Sequence, residues 1–412
     1  MNTVSKINYA IIISVALVSR LIIAWLSTNR LDIAQYYVWA MGLQGGFMSA
    51  FYRMPNLDYP PLQLPILYFN GWLINNMAFA SARPFIVIKI FPIMADVVAT
   101  VMVFNIVKNR ANNKTGLVAA LAYALNPALL INTAWWGQTD GLIMFFAIVV
   151  CWFAEKGRFK SAAAACALAA LTKIQGLFCL PILGLELLRN KNDKTKTIAL
   201  SAVVFLVVFF IGLSPFFAYN GVWGIVERIY FAAAERRPIA SIHAFNVLAL
   251  LGGSTMPDYY TPFGGVVSFF MIGIGLTATV ATGFAIFYLT RKRPDVWLGL
   301  AMVFYSIFML MPRMHERYMI YIIPLVLIAA FTHPVRKTAN MLKAILAACT
   351  VVIFINHGIL LWGFANQPTR ELWIDAFGQI VRVGAGVSTV LYVVTCYVYL
   401  KYASNKQDGA HL

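Results

Sequence analysis

Four stretches gather the polar residues able to do chemistry in an otherwise apolar chain. The first reads Arg30-Leu31-Asp32 and, after a Gly-rich break at Gly45-Gly46, Asn56-Leu57-Asp58-Tyr59-Pro60-Pro61. The second is Trp135-Trp136-Gly137-Gln138-Thr139-Asp140, the third Thr172-Lys173-Ile174-Gln175-Gly176, and the fourth Arg313-Met314-His315-Glu316-Arg317-Tyr318. Acidic residues number 15 against 32 Lys and Arg, and an acid set beside hydrocarbon is costly and calls for a reason. The cations Lys173, Arg236, Arg237, Arg313 and Arg317 call for an anion. A phosphate at a membrane surface suits them, since Arg offers a bidentate fork and Lys a point charge. Each residue also has a plainer reading. Asp58 ahead of Pro60-Pro61 reads equally as a helix cap, Trp135 and Trp136 as an aromatic belt, Asp96 with Lys89 as a buried structural pair, and His243 as a loop histidine. His333, beside Arg336, falls on the opposite face. The density of charge from 313 to 317 resists such a reading, because burying it requires a partner.

The elements that must position these residues are membrane helices. With 61% hydrophobic and 11% charged residues, the chain carries more apolar surface than a soluble domain of 412 residues can hide. The first apolar stretch, Ile7 to Leu26, lacks a small-residue cleavage site and reads as a span, not a removable signal. Cys151, Cys166, Cys179, Cys349 and Cys396 all lie in apolar runs without zinc or disulfide spacing, and read as small core residues. The formal charge of +17 sits in short connectors at 108–114, 156–160, 189–196, 291–293, 336–337 and 401–406. That is the positive-inside pattern, and it speaks against nucleic acid as the partner.

Charge parity sets the topology. Segment 63–80 carries Pro65, Asn70, Asn75 and Asn76, and counting it as a span would throw 108–114 outside. It is therefore expected to lie in the outer interface. The expectation is an all-α polytopic membrane protein with about 12 transmembrane helices, outer juxtamembrane helices and both termini cytoplasmic. Spans fall near 7–26, 84–107, 115–133, 141–155, 160–173, 175–189, 197–217, 264–289, 295–311, 318–332, 342–362 and 379–400. Several are short for a hydrocarbon core of about 30 Å, notably the pair meeting at Lys173, and such segments line internal cavities. The chain reads as one integral-membrane domain, 1–412, with a core module (1–189, first outer loop 27–83) and a variable module (190–412, outer loop 218–262). In this topology the four polar stretches share the outer face.

Asp32 in an outer juxtamembrane segment, Asp58-Tyr59-Pro60-Pro61-Leu62, Trp136-Gly137-Gln138-Thr139-Asp140 and Met314-His315-Glu316-Arg317-Tyr318 together resemble the GT-C superfamily. These are integral-membrane glycosyltransferases that use polyprenyl-phosphate-linked sugars. The pattern is similar to the lumenal glucosyltransferases of N-glycan precursor assembly and to bacterial mannosyltransferase-like relatives, over roughly residues 1–332. Arg317 stands where the eukaryotic enzymes favour Lys. The resemblance implies a catalytic base at Asp32 and a donor phosphate near His315, Glu316 and Arg317. The mechanism then expected is a single in-line displacement that inverts the anomeric centre. One carboxylate deprotonates the acceptor hydroxyl, and fixed cations hold the already anionic leaving group. Lys173, Arg313, His315 and Arg317 are the phosphate-binding candidates, with Asp58, Tyr59, Gln138, Asp140, Gln175 and Glu316 around the substrate. A divalent metal bridging Asp32 or Asp58 to Asp140 is the alternative that the lack of a tight acidic triplet argues against, so no cofactor is expected. The acceptor expected is a lipid-linked or polymeric glycan, and the setting a prokaryotic cell membrane with the site on its outer face. Two other classes compete: a lipid-linked sugar flippase or transporter, which should place its charge near the midplane, and a non-catalytic membrane assembly subunit.

Overall fold

The computed structural model describes residues 3–30, 32–54, 56–57, 59–235, 238–292, 294–365 and 370–403. Asp58, Arg236, Arg237, Arg293 and Lys406, named above, lie outside the described residues. The chain opens with helix α1 (Thr3–Leu26), followed by the short α2 (Ile33–Leu43), α3 (Phe47–Arg53) and α4 (Gln63–Asn76). Then come α5 (Ile90–Arg110), α6 (Asn113–Ala124), α7 (Asp140–Glu155), α8 (Phe159–Thr172), α9 (Leu180–Arg189) and α10 (Lys194–Leu213). After a long connection follow α11 (Phe269–Thr290), α12 (Val296–Leu310), α13 (Ile322–Thr332), α14 (Arg336–Ala365) and α15 (Arg370–Val398). Each of the twelve expected segments overlaps helical structure, although 84–107 is interrupted at Lys89, 115–133 at Leu125–Asn126, and 264–289 becomes helical only from Phe269.

Seven helical runs among the described residues are long and apolar enough to cross a membrane, by length and composition: Lys6–Leu26, Ile90–Arg110, Asn113–Trp136, Lys194–Phe216, Phe269–Thr290, Arg336–Ile359 and Gly378–Tyr402. The protein is an integral membrane protein. Its shorter apolar helices sit innermost: α12 and α13 are buried along nearly their whole length, whereas α10 and α11 expose most of their surface, as lipid-facing helices do. Short inner helices leave polar chain ends inside the bundle, where protein walls can satisfy the backbone. Local signals start the helices. Asp295 Oδ1 accepts from the Trp297 and Leu298 amides at 2.8 and 3.2 Å, a cap worth about 1 kcal/mol.

The helix α4 occupies the segment expected in the interface. Its 14 residues reach about 21 Å, and it packs on α2 through Gly71, where an added Cβ would lie 2.2 Å from the Ala40 carbonyl oxygen. At the other end of the bundle, the basic connectors are tied to one another. Arg110 pairs with Glu155, and Arg189 donates to the carbonyls of Arg291 (2.6 Å) and Lys292 (2.8 Å).

One pairing differs from expectation. Asp96 meets Arg20, not Lys89: Arg20 Nε donates to Asp96 Oδ2 at 2.9 Å and Tyr123 Oη to Oδ1 at 3.3 Å, with Arg20 and Asp96 fully buried between α1, α5 and α6. Lys89 precedes α5 and turns the other way. Its ammonium donates to the carbonyls of Ala134 (2.8 Å) and Trp135 (3.0 Å).

Candidate active site

Four chain ends converge at the end of the bundle opposite the basic connectors. They are the start of α2, the π-helical turn Leu130–Trp136 running into α7, the break between α8 and the 3-10 turn Ile174–Cys179, and the loop ahead of the 3-10 turn Tyr318–Tyr321. The loop is held by the only strands among the described residues. The two-residue strands Ser241–Ile242 (β1) and Met314–His315 (β2) pair in parallel, with Arg313 N donating to Ala240 O (3.0 Å) and Glu316 N to Ile242 O (3.2 Å). This clamp fixes the direction of His315, Glu316 and Arg317.

Asp140 is the buried centre. Lys173 Nζ lies 2.6 Å from its Oδ1, Tyr321 donates to the same oxygen, Asn132 Nδ2 reaches Oδ2 at 3.4 Å, and Arg317 Nε stands 3.8 Å from Oδ2. Its side chain is 0% exposed, whereas that of Asp32 is 42% exposed. The difference decides the roles open to them. Asp140, with both oxygens already engaged by Lys173, Tyr321, Asn132 and Arg317, can organise cations but has no oxygen free for an incoming hydroxyl, while the more exposed Asp32 can meet one. Asp32 accepts from Gln138 Nε2 at 2.5 Å and lies 3.9 Å from Arg317 Nη1. Gln138 is fully buried and takes a further bond from Tyr36, whose hydroxyl lies 2.7 Å from that of Tyr59. Burial pushes Tyr59 up to about 12 and raises Tyr36 as well, so both phenols keep their protons.

Arg317 joins the carboxylates. Its Nη1 donates to Glu316 Oε1 at 2.8 Å, and its guanidinium lies 5.4 Å from the Trp136 ring and 5.5 Å from Tyr318. Burial works against ionisation of Glu316, but the Arg317 charge and the His315 hydrogen bond outweigh it and hold the carboxyl well below its usual range. His315 Nδ1 is 3.6 Å from Glu316 Oε2. Asp32, His243 and Arg313 all have φ between 54° and 65°, a region that costs non-glycine residues of order 1–3 kcal/mol and clusters at functional sites. Gly137 (φ 84°) lets the chain turn between Trp136 and Gln138, where a Cβ would meet Ile33 Cδ1 at 2.7 Å.

The structure thus brings Asp32, Tyr59, Gln138, Asp140, Lys173, Glu316 and Arg317 together, with His315 at the edge. Arg313 forms a second pair, Nε to Asp258 Oδ2 at 2.7 Å. Gln175 is buried on its turn, and its Oε1 has no hydrogen-bond partner among the described residues. Among the described residues no three His, Cys, Asp or Glu side chains come together as a metal ion would require. Two readings change. Trp136 is 2% exposed and lies under Arg317, so it is no belt residue. Lys89, read as half of an ion pair, fastens the carbonyl end of the π-helical turn that carries Gln138. Tyr36 and Tyr321 are site neighbours that the sequence pattern does not mark, although each stands four residues after a charged member of the site, Asp32 and Arg317.

Residues 57–312 match the model of glycosyltransferase family 87. Tyr59, Gln138, Asp140, Lys173 and Gln175 lie inside that stretch, and Asp32 and the 313–317 string outside it. Among solved structures, that of ArnT from Cupriavidus metallidurans bound to undecaprenyl phosphate is similar in fold. The TM-score is 0.52 at 14% identity, over 98% of this chain and 78% of that chain. No curated protein matches the sequence.

Proposed function

Because the chain belongs to glycosyltransferase family 87, we propose that it moves a hexose from a polyprenyl-phosphate donor to an acceptor hydroxyl on the outer face of the membrane, with inversion. The flippase and assembly-subunit alternatives give way to the family assignment. The observation that carries the reading is Asp32. It is an open carboxylate aimed by a buried amide and set at the rim of a buried cluster that contains Lys173 and Arg317. In this mechanism Asp32 takes the acceptor proton, and Arg317, with His315 beside it, meets the departing lipid phosphate. Lys173 stands behind them, whereas Arg313, paired with Asp258 at 2.7 Å, lies outside this cluster. Arg317 already serves Glu316 and Asp140, so an incoming phosphate shares it with two carboxylates. The similar fold of a protein bound to undecaprenyl phosphate supports a polyprenyl-phosphate donor. The acceptor class that fits is a lipid-linked or polymeric glycan.

The direct test is incubation of purified protein with a panel of polyprenyl-phosphate hexoses, following donor consumption by mass spectrometry and product anomeric configuration by NMR. A product that retains the donor's configuration would overturn the single displacement. Arg317→Ala is expected to lower transfer about ten- to a hundredfold, the value of a charge-assisted contact of about 1.5–3 kcal/mol, with Arg317→Lys recovering part. Full activity in Arg317→Ala would move the phosphate elsewhere.

Sidedness follows from the basic connectors at the far end of the bundle. A cysteine placed at Lys108 is expected to stay unlabelled by an impermeant thiol reagent added outside intact cells, while one at Tyr259, exposed in the connection before α11, reacts. The opposite labelling pattern would put the site in the cytoplasm.

A further inference from the structure

His357 lies on α14, fully buried, and neither ring nitrogen has a hydrogen-bond partner among the described residues. Its ring packs edge-on against Trp136, with centroids 5.7 Å apart and planes at 82°. Trp136 Nε1, Asn132 Oδ1 and Thr133 Oγ1 on the facing π-helical turn, and Arg317 Nε above Trp136, are likewise buried without hydrogen-bond partners. An imidazole leaves one donor and one acceptor unmet, and an ionisable residue inside a membrane helix marks a functional site by default. The orientation is held: the neighbouring Asn356 donates through Nδ2 to His243 O at 2.9 Å and accepts from Phe245 N at 3.3 Å. So α14 is pinned to the loop that also clamps His315, and His357 is turned toward Trp136.

Buried polar atoms are normally paired. A group of them left without hydrogen-bond partners beside the carboxylates, offering donors and acceptors together, suits a ligand that carries both, as a sugar ring does with its hydroxyls. We infer that His357 and Trp136 floor the donor pocket and that His357 hydrogen-bonds a ring hydroxyl of the transferred sugar, making it a specificity-determining residue. The inference rests on the sugar-transfer reading of the neighbouring cluster.

The test uses the full-length protein, a polyprenyl-phosphate hexose that it consumes, and the 2-, 3-, 4- and 6-deoxy analogues of that donor. Wild type is expected to use one deoxy donor about ten- to a hundredfold less well in kcat/KM, because a site built to bond a hydroxyl is left unpaired by the analogue. His357→Phe keeps the ring packing. It should lower kcat/KM for the parent donor by a similar factor, leave the discriminated deoxy donor unchanged, and so erase the preference. It should also raise the melting temperature of the ligand-free protein, because buried nitrogens without partners are replaced by carbon. A variant that keeps the wild-type preference across the series overturns the inference and leaves water as the partner of those nitrogens. Should His357→Phe not be recovered folded, His357→Leu is read against the same series with the same two outcomes. Wild type that consumes none of the hexose donors defeats the transfer reading itself, and the inference falls with it.

Discussion

Asp32→Asn is expected to reduce sugar transfer by about 10²–10⁴-fold, the usual contribution of a positioned general base, with little change in donor binding. The substitution keeps the carbonyl oxygen that accepts from Gln138 Nε2 at 2.5 Å and removes the ability to take a proton. It also removes a charge 3.9 Å from Arg317. That pair is partly exposed, and such pairs contribute about 0–1 kcal/mol, too little to mimic the loss of a base. Initial transfer rates set beside equilibrium binding of the donor separate the two effects. Collapse of donor binding along with transfer would make Asp32 a structural residue. Asp58→Asn is the companion measurement. As a helix cap Asn serves nearly as well as Asp, so this variant should stay active. Transfer that survives in Asp32→Asn but is lost in Asp58→Asn would move the base to Asp58.

The sequence made the convergence of the site readable because charge is scarce in this chain. Each polar stretch had to sit at a helix end, and the basic connectors fixed which end. What escaped it were contacts set by rotation about a helix axis. Trp135 and Trp136 are indistinguishable as sequence. Only the π-helical turn, which gains a residue per turn, leaves Trp135 half-buried and turns Trp136 inward under Arg317. Lys89 and Asp96 are seven residues apart and look like one face of a helix. Yet Lys89 stands before the first turn of α5 and faces carbonyls, while the partner of Asp96 comes from α1. Arg20 carried a usable signal, a lone cation within the first apolar span. His357 carried the same signal on α14, and no local spacing connected it to residues more than 200 positions away.

The second large effect concerns the pair at the base of the site. Lys173 and Asp140 meet at 2.6 Å with side chains 6% and 0% exposed, and Tyr321 and Asn132 supply the remaining bonds to the carboxylate. Removing one member of a buried pair strands the other charge, at about 3–5 kcal/mol, whereas replacing both is often nearly neutral. Lys173→Met and Asp140→Asn alone are therefore each expected to lower the melting temperature in detergent sharply. The double variant should recover most of the stability, since the amide that replaces the carboxylate can still accept from Tyr321. Transfer is the readout that assigns the role. If Lys173 helps to hold the donor phosphate, the double variant is folded and remains poorly active, with donor affinity reduced about ten- to a hundredfold. If stability and transfer return together, the pair serves only to tie α8 to α7, and the lipid phosphate rests on Arg317 and His315 without it.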